Sequence, residues 1–75
     1  MEKKKLEGII EAILFTMGDA VECSRIARAL EEPEERIRET IRSMQDRYKA
    51  EDRGVHIIEL EDAYQMCTKP EAYEY

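Results

Sequence analysis

Two short runs rich in Val, Ile, Tyr and Thr, residues 54–60 and 64–68, flank Glu61-Asp62-Ala63 near the end of the chain. β-Branched and aromatic side chains favour pleated backbone, so the segment reads as a β-hairpin. Everything before it reads as helix. A helical front closed by one hairpin leaves few folds open to a chain of this size.

The first helix is expected over about residues 4–17. Leu6, Ile9, Ile10, Ile13, Leu14 and Met17 follow the i, i+3, i+4, i+7 series and form one apolar stripe. Gly18-Asp19 ends it, with Gly18 suited to a left-handed stop. Ala20-Val21 is a short extended step able to pair with the hairpin's inner strand. A second helix, about 23–31, buries Cys23, Ile26, Ala27 and Leu30, although neither Glu22 nor Cys23 is a strong N-cap. Ser24 takes that role if the helix starts one residue later.

The third helix, about 34–53, opens with Pro33 at its first position and Glu34-Glu35 on the positive end of the macrodipole. Ile37, Ile41, Met44 and Tyr48 repeat at 4, 3 and 4 and give its core face. The junction at Glu31-Glu32 is short, so the second and third helices must turn sharply against each other, as in a helix-turn-helix. The predicted fold is α+β: a winged helix-turn-helix of three helices plus a C-terminal hairpin wing, in one domain over residues 1–75.

Length and charge restrict what such a domain does. A chain of 75 residues buries only roughly 60% of its unfolded surface, so a covering partner adds useful stability. The net charge of −6 argues against general attraction to nucleic acid or anionic lipid. The apolar run after Lys3-Lys4-Lys5 is broken by Glu7 and Glu11 and reads as an amphipathic helix, not a signal peptide. No segment has the length of a membrane span. A soluble intracellular protein is therefore expected, with Cys23 and Cys67 as reduced thiols. Their spacing alone leaves a disulfide open.

Chemistry-bearing constellations are sparse. His56 and Cys67 fall on neighbouring strands without a third, orienting group. One histidine and no CxxC make a zinc cluster untenable, and the scattered glycines form no phosphate loop. Neither catalytic residues nor a metal, cofactor or small-molecule ligand are expected.

DNA binding is the functional alternative, in the form of a small winged-helix transcriptional regulator. The would-be recognition helix carries Arg36, Arg38, Arg42, Arg47, Lys49 and Arg53, matched one for one by Glu34, Glu35, Glu39, Asp46, Glu51 and Asp52. Its first turn is acidic, as is the wing tip at Glu61-Asp62, so both natural contact points repel phosphates. The arginines read better as i,i+4 partners on an exposed face, with Glu35 and Glu39 beside Arg38 and Arg42.

Protein contact suits the leftover apolar side chains. Gly8, Ala12 and Phe15 line up on a second face of the first helix; Phe15 packs under a neighbouring loop or meets another chain. Val55 and Ile57 lie opposite Ile58 and Leu60, which makes the first strand apolar on both sides. Tyr64 and Met66 share a face with Thr68. Tyr73 and Tyr75 put two aromatics in a five-residue tail. Gly8, Ala12, Phe15, Val55, Ile57, Tyr64, Met66, Tyr73 and Tyr75 are the candidate protein-contact residues.

The segments Leu6-Glu7-Gly8-Ile9-Ile10-Glu11-Ala12-Ile13-Leu14-Phe15, Gly18-Asp19-Ala20-Val21 and Ile26-Ala27-Arg28-Ala29-Leu30 resemble the start of segregation and condensation protein B. Residues 54–60, Tyr64-Gln65-Met66 and Thr68-Lys69-Pro70-Glu71 resemble that family's hairpin and its exit. The likeness covers essentially the whole chain. Departures are Ala20 where the family tends to have Pro, Glu22 where Ser or Thr is common, and Glu61-Asp62-Ala63 where glycines are usual. The resemblance implies a bacterial chromosome-partition protein working with a kleisin and a structural-maintenance-of-chromosomes ATPase in a condensin-like complex. It also implies two tandem winged helices and a homodimer formed largely through the first. The chain corresponds to that first domain, so functions of the second, including much of the kleisin contact, do not transfer.

Overall fold

The computed structural model describes residues 1–51 and 53–68. Helix α1 spans Lys3–Met17, strand β1 Val21–Glu22, α2 Cys23–Leu30, α3 Glu34–Ala50, β2 Val55–Leu60 and β3 Ala63–Thr68. The strands form one antiparallel sheet in the order β1-β3-β2. This is the winged-helix arrangement expected, with the extended step placed at Val21–Glu22 and paired through Val21–Tyr64 and Glu22–Ala63. The tail with Tyr73 and Tyr75 lies outside the described residues.

Helix boundaries follow from local chemistry. Gly18 stops α1 at φ 73° while its N–H donates to the Leu14 carbonyl, a backbone state that Gly alone adopts without cost. No side chain caps α2; the Cys23 N–H instead donates to the Asp62 carbonyl in the hairpin turn, 2.8 Å away. Pro33 stands one position earlier than expected, at the N-cap of α3, where its carbonyl accepts from Arg36 and Ile37. Helix α3 also ends at Ala50, short of the expected Arg53. Glu51 turns extended, and Arg53 leaves the helix to stack over the Tyr48 ring, 4.7 Å from its centroid.

The core is built from four sources. Leu6, Ile10 and Leu14 of α1 are fully buried, a narrower ridge than the predicted stripe because Ile9 and Ile13 are half-buried and Met17 is exposed. Ile26 comes from α2, Ile37, Ile41, Met44 and Tyr48 from α3, and Val21, Ile57 and Tyr64 from the sheet. Cys23 and Cys67 are free thiols. Burial raises the Cys23 thiol above its ordinary pKa, and its Sγ donates to the Glu34 carbonyl.

The hairpin turn is tighter than expected, with Ala63 already in β3 opposite Leu60. Both turn residues, Glu61 (φ 48°) and Asp62 (φ 64°), are left-handed, as a two-residue hairpin loop requires and as Asn-Gly usually supplies. Non-glycine residues there carry backbone strain, and the tertiary contacts of Asp62 oppose it. Arg38 Nε donates to Asp62 Oδ1 at 2.9 Å and Nη2 to Oδ2 at 2.7 Å. That hydrogen-bonded guanidinium holds the Asp62 carboxyl below its ordinary pKa. The wing tip is thus clamped to α3 and to the start of α2.

Candidate functional site

Side-chain alternation decides which sequence candidates reach the surface. In the β2–β3 register, Ile57 opposes Met66 and Glu59 opposes Tyr64. Directly opposed residues share a face, so Val55, Ile57, Tyr64 and Met66 all lie on the side that the helices cover. Ile57 (5% exposed) and Tyr64 (3% exposed) are core residues, a correction to the expectation that they meet a partner. The outer face of the sheet carries His56, Ile58, Leu60 and Cys67 instead, and of these Leu60 is exposed.

Five of the remaining candidates converge. Gly8, Ala12 and Phe15 of α1, with Val55 and Met66 at the open end of the hairpin, line an apolar groove of about 350 Å³, and Glu11 is its polar member. Gly8, Ala12 and Phe15 are exposed, while Val55 and Met66 are half-buried against the core. Phe15 is 76% exposed, more than any other large apolar side chain among the described residues. It does not pack under a loop. A Cβ at Gly8 would meet nothing within 4 Å, so the helix backbone lies open there.

Glu11 is the groove residue that sequence reading missed. It sits three positions after Gly8 and four before Phe15, a helical spacing that places it on the same face, but in the sequence it marked only a break in the apolar run. Its carboxylate accepts from the Tyr48 hydroxyl and lies 3.8 Å from Arg53 Nη1. Burial, and then the bond to Glu11, push the Tyr48 hydroxyl up to about 12. Nearby, the buried Glu7 pairs with Arg47 at 2.7 Å. A second, polar groove of about 310 Å³ runs past Glu7, Gly8, Glu11, Arg47, Tyr48 and Arg53. The apolar groove therefore ends on a charge-paired rim.

The surface that a DNA-binding winged helix would present carries paired charges. Among the described residues, the i,i+4 pairs formed are Glu32–Arg36, Glu34–Arg38 and Arg47–Glu51, not those anticipated among Glu35, Glu39 and Arg42. Arg38 is held by Asp62 and Glu34 together. His56 and Cys67 oppose each other across the strands. Among the described residues, no group of three or more His, Cys, Asp or Glu side chains could hold a metal ion. No helix of the described residues is long and apolar enough to cross a membrane.

Comparison with known proteins decides the family. The model of the segregation and condensation complex subunit ScpB matches residues 8–75. The chain belongs to the ScpB family. It is 58% identical over 74 residues to segregation and condensation protein B of Lachnoclostridium phytofermentans, covering 99% of this chain and 39% of that protein. It is 49% identical over 67 residues to the protein of the same name from Agathobacter rectalis, covering 88% of this chain and 36% of that one. The chain thus spans about two-fifths of the length of these ScpB relatives.

The crystal structure of a dimer of a ScpB N-terminal domain complexed with a ScpA peptide superposes with a TM-score of 0.89 at 34% identity, covering 96% of this chain and 90% of that one. ScpB from Mycobacterium tuberculosis gives 0.92 at 23% identity, covering all of this chain and 47% of that one, and supports the fold alone.

Proposed function

We propose that this chain is a non-catalytic, dimer-forming domain of a segregation and condensation complex subunit. In this reading it is the first of two tandem winged helices and acts in the cytoplasm on chromosome condensation and segregation. Its partners are a second copy and a ScpA-type kleisin, and through the kleisin a structural-maintenance-of-chromosomes ATPase. It needs no cofactor, small molecule or membrane. Family membership supports this reading, as does the 34%-identical relative, a dimer that holds a ScpA peptide. The observation that carries it is the apolar groove beside Phe15, because a solvated domain gains nothing by leaving a phenyl ring 76% exposed.

Direct reading of DNA is disfavoured at both contact points. Glu34 and Glu35 open α3, and the acidic wing tip is clamped by Arg38, which removes that arginine from any phosphate. Fluorescence anisotropy with a labelled duplex at low salt is expected to show no binding at micromolar protein. Tight binding that weakens steeply as salt is added would replace this reading with that of a DNA-binding regulator.

A further inference from the structure

We infer that His56 and Cys67 together form a two-donor site for a soft monovalent cation, Cu(I), on the outer face of the sheet. The β2–β3 register sets the two residues directly opposite each other. Opposed side chains share a face, with Cβ atoms roughly 4.5–5.5 Å apart, so a sulfur and a ring nitrogen both reach an ion held between them. The pair stands next to Val55–Thr68 at the open end of the hairpin. An ion there ties the two strands together.

Neither side chain is spent on the fold. Both are half-buried, and neither belongs to the core. Cys67 is a free thiol, and no hydrogen bond or ion pair among the described residues engages either side chain. The other thiol, Cys23, is fully buried, with its Sγ donating to the Glu34 carbonyl. It is closed to an ion.

Donor chemistry selects the metal. Thiolate sulfur is soft and suits Cu(I), and imidazole binds copper as well. Zinc takes three or four protein ligands, and no group of three or more His, Cys, Asp or Glu side chains among the described residues supplies them. Monovalent copper, with its filled d shell, is satisfied by two. Binding breaks the Cys67 S–H bond, forms an S–Cu bond and releases the proton to solvent, while neutral His56 gives a ring-nitrogen lone pair. Copper stays monovalent throughout, so no electron is transferred. The net charge of −6 favours a cation over an anion.

Anaerobic titration of the whole chain with Cu(I), in competition with a chromophoric Cu(I) chelator, tests the site. Ascorbate serves as reductant so that no added thiol competes. The unaltered chain, His56→Ala and Cys67→Ser are compared, with circular dichroism to check each fold. The unaltered chain should take one Cu(I) and melt at a higher temperature with it. Cys67→Ser should abolish both effects. His56→Ala should weaken binding at least about tenfold, since losing even an outer-shell partner of a ligand costs that much. Unchanged affinity in His56→Ala would overturn the paired site and leave Cys67 an ordinary surface thiol. One Cu(I) for every two chains would overturn it as a sulfur bridge between copies, and binding that survives Cys67→Ser would overturn it in favour of Cys23. None of these results bears on the apolar groove, which lies on the other side of the hairpin.

Discussion

Phe15→Asp is expected to dissociate the dimer by roughly 100-fold to 10,000-fold while leaving the folded monomer unchanged. Burying a phenylalanine side chain contributes about 1.5–3 kcal/mol, and a two-fold interface loses that contribution twice. Roughly 3–6 kcal/mol corresponds to two to four powers of ten in Kd. The aspartate adds an unpaired charge to an apolar groove lined by Ala12, Val55 and Met66. Because Phe15 is exposed within the chain, its removal opens no cavity in the core. Mass by light scattering and a thermal melt read the two halves separately. An unchanged mass would show that the groove is not the contact, and loss of the fold would show that Phe15 belongs to the core.

Leu14→Ala should act in the opposite sense, on the monomer first. Leu14 is fully buried where α1 meets the rest of the core, and truncating such a leucine costs about 2–5 kcal/mol through lost transfer energy and the cavity left behind. A domain of this length has only roughly 4–11 kcal/mol in total. The melting temperature should fall by at least about 8 °C. The measurement belongs in a Phe15→Asp background, since association would otherwise add concentration-dependent stability. A shift below about 2 °C would mean that Leu14 is not part of the packed core.

The same helix shows what periodicity reveals and what it leaves out. Its 3.6-residue period marked both the buried ridge of Leu6, Ile10 and Leu14 and the separate face of Gly8, Ala12 and Phe15. The hairpin was legible from composition, but its facing was not. Val55, Ile57, Tyr64 and Met66 form one inward side only because Glu61 and Asp62 adopt a two-residue turn. That turn fixes the register, and the register consigns Ile57 and Tyr64 to the core.

Long-range polar contacts left no trace in the sequence. Arg38 and Asp62 meet only because the wing folds back on α3. The same folding brings the Asp62 carbonyl to the uncapped start of α2. Glu11 was visible by spacing, yet its role needed Tyr48 and Arg53, which arrive from α3 and the segment after it.

Sedimentation equilibrium of the unaltered 75-residue chain tests the central claim most directly. The predicted result is a species of twice the 8.8 kDa of one chain at micromolar concentration. A species of 8.8 kDa that persists at the highest attainable concentration would contradict it.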